Sequence, residues 1–214
     1  MRNPNTEQFW DKKNLCEERK LSRSPIFIDK NHIVASYFDG LNGKLLNIGV
    51  GHGALENLLV KKMLGIKFFG IDISKGAINK INNIVKGKYV IANAQKIPFD
   101  DNLFDFVVEL DVLEHLQREE SIESLEEVRR VIKGRGIFII SVPLNESNKD
   151  KNLNRHLLAF DEHTILQLLR DSGFEILKTK KLYAFRNYYL IKSFLAKLFK
   201  IKKPNLIIVF CRKK

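Results

Sequence analysis

The chain has 214 residues, 44% hydrophobic and 29% charged, with a formal net charge of +12 at pH 7. That length and apolar fraction suit one α/β domain with a sizeable core and one or two appendages. A secretory leader, a membrane-spanning run and a disulfide framework are not expected: no opening stretch has the leader pattern, no apolar run reaches roughly 20 residues, and only Cys16 and Cys211 occur, so a reducing cytoplasm is the default.

The charge is unevenly placed. Residues 176–214 hold 12 Lys/Arg and no acid, whereas residues 1–175 balance at 25 of each sign. Residues 1–40 carry helical patterns with no glycine before Gly40, and read as an N-terminal helical extension or lid ahead of a domain over 41–214. Its main helix is predicted from Ile26 to Phe38, with Ser24 as cap and Pro25 at the first position.

Strands and helices then alternate. Strands are expected over Lys44–Ile48, Lys67–Asp72, Lys88–Ala92, Phe104–Leu110 and Gly136–Val142. Helices are expected over Ala54–Met63, Lys75–Val85, Ser121–Ile132 and Asp161–Ser172, the last capped by Asp161. Such alternation implies a parallel sheet with helices on both faces. A strand over Phe174–Phe185, a helix over Asn187–Ile201 and a strand over Asn205–Arg212 complete the chain, and no internal repeat is present.

The first strand ends in Gly49-Val50-Gly51-His52-Gly53, and a helix follows. A glycine-rich turn from strand to helix lets backbone approach a ligand and leaves a helix N-terminus to receive it. The second strand ends in Asp72, a charged double acceptor suited to ribose hydroxyls. These two pieces point to a nucleoside cofactor. Gly49-x-Gly51-x-x-Ala54 with Asp72 downstream also fits a nicotinamide dinucleotide pattern.

Further motifs separate the readings. Asn47-Ile48-Gly49-Val50-Gly51-His52-Gly53, Gly70-Ile71-Asp72-Ile73-Ser74 and Ala92-Asn93-Ala94-Gln95-Lys96-Ile97-Pro98-Phe99 are followed by Phe104-Asp105, Val112-Leu113-Glu114-His115-Leu116, Glu127–Lys133 with Gly136, and Ser172-Gly173-Phe174. In that order they resemble class I S-adenosylmethionine (SAM)-dependent methyltransferases of the small-molecule type, over about residues 40–180. The resemblance implies a Rossmann-like, doubly wound seven-stranded sheet, mostly parallel with an antiparallel last strand. It implies SAM as cofactor and S-adenosylhomocysteine as product. Gly49, Gly51, His52 and Gly53 would lie against the methionine and ribose parts, and Asp72 would accept from the ribose. Asn93 would accept from the adenine amino group, with Ile73 and Ala94 flanking the purine. Glu109, Leu110 and Asp111 would line the methyl-transfer site through their backbone.

Four residues depart from the family pattern. Asn47 stands where an acid usually supports the cofactor's amino group, Val50 replaces a small residue or cysteine, and His52 replaces Thr or Ser. Asn93 stands where aspartate is usual. With Asn47 and Asn93 both uncharged, SAM affinity is expected to be weaker than typical. These departures also fit a degenerate, non-catalytic relative that only binds partners.

Methyl transfer needs mainly in-line placement of the nucleophile, and a hydroxyl nucleophile profits from a histidine base. His156, beyond the polar loop 145–155, and His115, after the fourth strand, are the catalytic candidates. His52 reads as a wall of the turn, His163 as first-turn helix surface and His32 as a helix face. Phe9, Trp10 and Phe38 could close over bound cofactor. No metal site is expected: Glu114-His115 is the only ligand-like pairing, and adjacent residues do not share a helix face.

On a helical wheel, Leu190, Ile191, Phe194, Leu195, Leu198 and Ile201 fall on one half, with Lys192, Ser193, Ala196, Lys197 and Lys200 on the other. The apolar half either packs on the sheet edge or enters a membrane interface through 187–203, beside a small or lipid-linked acceptor. That would place the protein in the cytoplasm, at the inner membrane face. An RNA acceptor is the alternative for so basic a segment, with Tyr183, Phe185, Tyr188 and Tyr189 available for stacking. The absence of an Asn-Pro-Pro-aromatic run after the fourth strand weighs against methylation of nucleic-acid bases.

Overall fold

A computed structural model describes residues 4–13, 24–62, 65–185, 189–199 and 202–214. A helix over 7–13 (α1) and α2 (Pro25–Tyr37) precede β1 (Gly43–Ile48), α3 (Ala54–Val60), β2 (Ile66–Asp72), α4 (Lys75–Asn82), β3 (Gly87–Ile91) and β4 (Phe104–Leu110). A 3-10 turn (Leu113–His115), α5 (Arg118–Val131), β5 (Ile132–Pro143), α6 (Asn148–Asn154), α7 (Glu162–Asp171), β6 (Phe174–Leu182), α8 (Tyr189–Phe199) and β7 (Leu206–Lys213) follow.

The seven strands form one sheet in the order β3-β2-β1-β4-β5-β7-β6. β1, β2, β3, β4 and β5 pair in parallel, and β7 runs antiparallel to both its neighbours. This is the expected Rossmann-like, doubly wound sheet. Its order reverses at β1, whose neighbours are β2 and β4, so a crevice opens at the carboxyl ends of those strands.

Successive strand residues face opposite sides, and the core divides accordingly. Leu46, Ile48, Val107 and Ile140 pack with Leu125 and Val128 of α5 and Ile165 and Leu169 of α7. Leu45, Phe106, Val108 and Ile139 pack on the other face with Leu55 and Leu59 of α3 and Ile78 and Ile81 of α4. α2 belongs to that second layer. Its Val34 and Ala35, with the following Phe38, are fully buried, and the Phe38 ring meets Phe106 edge-on at 5.2 Å. Phe38 is therefore core, not a cover for a ligand.

Several local expectations need correction. Ser24 occupies the N-cap of α2 but makes no side-chain cap bond, so Pro25 alone sets that start. α5 begins at Arg118, ahead of the expected Ser121, because Gln117 and Glu120 form a reciprocal capping box. Asp161 and Thr164 form another at α7. α6 was not expected: it buries no residue, so no apolar period announces it, and Ser147 starts it by accepting from the Asp150 N–H. The expected ends at Met63, Asn187 and Ile201, with Cys16, Tyr188 and Lys200, lie outside the described residues.

α8 is turned the opposite way from a sheet-edge helix. Ala196 is buried, the Tyr189 hydroxyl donates to Asp29 at 3.0 Å, and the Ser193 hydroxyl donates to the Tyr183 carbonyl at 3.4 Å. Leu190 (77% exposed), Ile191, Phe194, Leu198 and Phe199 face outward. Among the described residues, no helix is long and apolar enough to cross a membrane.

One strand residue carries an unusual charge load. Glu109 pairs in register with Ile48 and Ile140, is fully buried, and neither carboxylate oxygen has a hydrogen-bond partner among the described residues. Burial pushes its carboxyl up to about 8. The folded chain thus keeps a proton that the unfolded chain releases above about pH 4.5, and between those values stability falls by up to roughly 1.4 kcal/mol per pH unit. Thermal unfolding followed from pH 5 to pH 8 should show Tm falling with pH, and Glu109→Gln should flatten that slope.

Candidate active site

The turn between β1 and α3 is left-handed at three alternating glycines: Gly49 (φ 75°), Gly51 (φ 49°) and Gly53 (φ 69°). Only glycine adopts this conformation without strain. At Gly51 a Cβ would meet nothing nearer than the Gly49 carbonyl at 4.0 Å, so the backbone there lies bare. Gly53 is different: its Cβ would strike Ile81 at 2.5 Å, and the residue caps α3 without lining the cavity.

Asp72, at the end of β2, fastens this turn. Its Oδ2 accepts from the Gly51 N–H at 2.9 Å and its Oδ1 from the Ser74 N–H at 2.8 Å. Burial pushes its carboxyl up, opposed by those two N–H groups. Each oxygen keeps a second lone-pair direction for an added hydroxyl.

A cavity of about 820 Å³ opens over the crevice. Its cofactor-side wall includes Asn47, Gly49, Gly51, His52, Asp72 and Ile73, with the exposed Asn93 and the buried Ala94 beside them. Leu110 and Asp111 line it further along; Glu109 does not, because its side chain points into the core layer under β4. The Asn47 amide donates to Glu56 Oε1 at 2.6 Å, while Asn47 Oδ1 is buried without a partner among the described residues. The fully buried Glu56 is pushed up to about 7 by burial, opposed by Asn47, with Asp72's charge adding to the rise. An acid thus stands one residue behind the uncharged Asn47. The signal in the sequence was a charge between Leu55 and Leu59 on the buried face of α3.

These residues fit an adenosine-bearing sulfonium cofactor. The bare backbone at Gly51 gives close approach, Asp72 gives acceptors for a diol, and Asn47 Oδ1 is an orphaned acceptor for an ammonium group.

The far end of the cavity is polar. Asp111 sits at a left-handed φ of 56°, held by an ion pair with the buried Lys30 and by the Ser141 hydroxyl at 2.6 Å. Burial raises its carboxyl, but Lys30 and Ser141 outweigh this and hold it low. Glu114, His115 and His156 converge here. The Glu114 carbonyl accepts from the Leu157 and Leu158 N–H groups at 2.7 and 3.0 Å, which seats the chain after α6 against the 3-10 turn. His156 Nδ1 meets Glu146 Oε2 at 2.6 Å. The rings of His115 and His156 lie edge-to-face at 4.6 Å. Burial, then His156 and Lys13, press His115 down to about 3, so its imidazole is neutral. The sequence offered no ligand spacing beyond Glu114-His115; in space His156 joins that pair, since Glu114 and His115 share a 3-10 turn and His156 arrives from a distant loop. His32 and His163 are exposed and outside the cavity.

One N-terminal segment ties the two ends together. The Asn5 amide donates to the His115 and Arg155 carbonyls at 2.9 and 3.1 Å. Asp11 Oδ1 accepts from the Ser74 hydroxyl at 2.5 Å and the Gly76 N–H at 3.0 Å, and these bonds hold its carboxyl low. Between them, Trp10 lines the cavity with its ring edge-to-face with His115 at 4.6 Å, and Arg155 stacks on Phe9 at 4.4 Å.

Residues 46–140 match a family model described as a methyltransferase domain. An uncharacterized protein of Methanocaldococcus jannaschii is 27% identical over 163 residues, covering 76% of this chain and 64% of that one. The fatty-acid O-methyltransferase of Mycolicibacterium smegmatis is 30% identical over 128 residues, covering 58% of this chain and 45% of that enzyme. The chain therefore spans less than two thirds of either relative. The N-methyltransferase NodS of Bradyrhizobium japonicum, solved with S-adenosyl-L-homocysteine, shares the fold with a TM-score of 0.74 at 13% identity, over 98% of each chain.

Trp10 is the single tryptophan, so its fluorescence reports the N-terminal segment alone. Asp11→Ala should release the Ser74–Gly76 end, shift Trp10 emission to the red and speed proteolysis near residues 5–13. Unchanged emission and cleavage would show that Asp11 does not hold the segment down.

Proposed function

We propose that this chain is a class I SAM-dependent methyltransferase that moves a methyl group from SAM to an oxygen, nitrogen or carbon nucleophile of a small or amphiphilic acceptor. The observation that carries the reading is one continuous cavity with two chemically different ends. One end offers the Gly51 backbone, the Asp72 carboxylate and the orphaned Asn47 oxygen; the other offers Glu114, His115, Glu146 and His156.

SAM supplies an activated methyl on a sulfonium leaving group. What the protein adds is placement. Asp72 grips the ribose hydroxyls, and Asn47, backed by Glu56, receives the ammonium group. Ile73 and Ala94 sandwich the adenine, with Asn93 at its amino edge. Leu110 and Asp111 set the floor where nucleophile and methyl meet. His156, oriented by Glu146, and His115 position the acceptor at the far end of the cavity. The segment 5–13 covers the pair and excludes water.

Calorimetry with SAM or S-adenosylhomocysteine tests the cofactor half. Asp72→Ala should weaken binding by about 30- to 100-fold, the worth of a charged acceptor's hydrogen bonds. His156→Ala should leave cofactor affinity intact and lower methyl transfer by roughly 10²-fold or more. No cofactor binding by the unmodified chain would defeat the proposal and favour a partner-binding, non-catalytic role.

α8 supports an amphiphilic acceptor met at a membrane surface. Its outward Leu190, Ile191, Phe194, Leu198 and Phe199 have no cover among the described residues, while the exposed Lys192 and Lys197 flank them. Such a face buries its apolar side chains in the acyl boundary and its lysines among anionic headgroups. Ala184, Asn205 and Leu206, on the segments leading into and out of α8, line the cavity, so lipid access and active site adjoin. Sedimentation with phosphatidylglycerol vesicles at low salt should carry the protein down, and Phe194→Ser with Leu198→Ser should abolish this. Transfer of labelled methyl to RNA without vesicle binding would replace the lipid reading.

A further inference from the structure

We infer that Glu114, His115 and His156 bind one divalent transition-metal ion at the acceptor end of the cavity. The three side chains each present a ligand atom, and these atoms lie within 4.8 Å of one another. Ligands about 2.0–2.2 Å from a common ion sit roughly 3–3.6 Å apart, so small side-chain rotations close the site.

An independent observation points to a cation. Glu114 is 1% exposed, and its Oε2 lies buried with no hydrogen-bond donor among the described residues. The neighbouring acids are already served: Asp111 by Lys30 and Ser141, and Glu146 by His156. Lys13 and Lys30 both line this end, Lys30 engaged by Asp111 and the Lys13 ammonium 4.7 Å from the centre of the Trp10 ring.

The outer partners have the arrangement that metal-binding histidines require. His156 Nδ1 engages the Glu146 carboxylate, and His115 Nδ1 lies 3.3 Å from the Arg155 carbonyl. Contacts of this kind fix the tautomer and direct Nε2 at an ion. Two imidazoles and one carboxylate select Zn²⁺, Co²⁺, Mn²⁺ or Fe²⁺ over Mg²⁺ and Ca²⁺, which prefer all-oxygen shells. All three ligands line the cavity, so the remaining coordination positions face the acceptor.

The site deepens the proposed methyl transfer, on which its purpose rests but not its existence. It narrows the acceptor to a hydroxyl compound. Coordination of the acceptor oxygen lowers its pKa and releases the O–H proton to water. The oxygen lone pair then forms the new C–O bond as the methyl C–S bond breaks, giving a methyl ether and the thioether product with no change of oxidation state.

Chelator-stripped full-length protein is titrated with Co²⁺, and metal content and visible absorption are measured together. One Co²⁺ per chain with d–d bands of low-symmetry coordination is expected. His156→Ala and Glu114→Gln should lose both signals, His163→Ala should keep them, and Glu146→Gln should weaken Co²⁺ affinity by about 10- to 100-fold with the ligands intact. Circular dichroism melts on each variant identify any that fail to fold, and Glu146→Gln then carries the test. Substoichiometric Co²⁺ in the unmodified protein, or a spectrum unchanged by His156→Ala, overturns the site. SAM calorimetry on the same samples reads the methyl-transfer proposal separately.

Discussion

Two backbone N–H groups converge on one carboxylate. Gly51 belongs to the turn after β1 and Ser74 to the start of α4 after β2, and Asp72 accepts from both. The clasp joins two adjacent parallel strands at the point where the sheet order reverses. It shapes the glycine turn, leaves the Gly51 backbone bare and keeps a partly buried anion at the cavity wall. The same Ser74 caps α4 and donates to Asp11 through its hydroxyl, so the covering segment is moored to the same clasp. Cofactor wall, helix start and cover share one anchoring point.

The buried acids Glu56, Glu109 and Glu114 tilt the fold away from greatest stability. Burial raises the carboxyl of each, and none sits in a full set of hydrogen bonds. Two of them have a use under the proposed function. Glu56 backs Asn47, the proposed seat of a cationic ligand, and such a ligand would draw out its proton. Glu114 faces the acceptor end beside two imidazoles. Glu109 is fully buried with neither oxygen bonded among the described residues, and the structure gives it no such use.

What the sequence made legible follows from the range of the interactions. The glycine turn, Asp72 and the presence of each strand depend on local spacing or on an unbroken apolar run and lie where the pattern put them, except that β5 starts at Ile132, four residues ahead of the expected Gly136 and at a residue assigned to the preceding helix. Glu56 behind Asn47 spans a turn and a helix face, and the pattern for cofactor sites looks only at position 47. The gathering of His156 with Glu114 depends on two N–H groups of the returning chain bonding to the Glu114 carbonyl, which no spacing rule encodes. α6 escaped because it buries no residue and its one apolar side chain, Leu153, faces solvent. In α8 the periodicity gave a two-sided helix, but not which side meets the protein: Tyr189, Ser193 and Ala196 do, through small or hydrogen-bonding side chains, and the large apolar residues do not.

The moorings of the N-terminal segment divide one load between two distant points. Asn5 is bonded beside His115 and Asp11 beside Ser74, with Trp10 between them. A single stretch of chain therefore runs along the cavity from one end to the other, and one mooring released leaves the other to bear the load. Under the proposed methyl transfer, anything passing beneath Trp10 would first have to loosen one of the two.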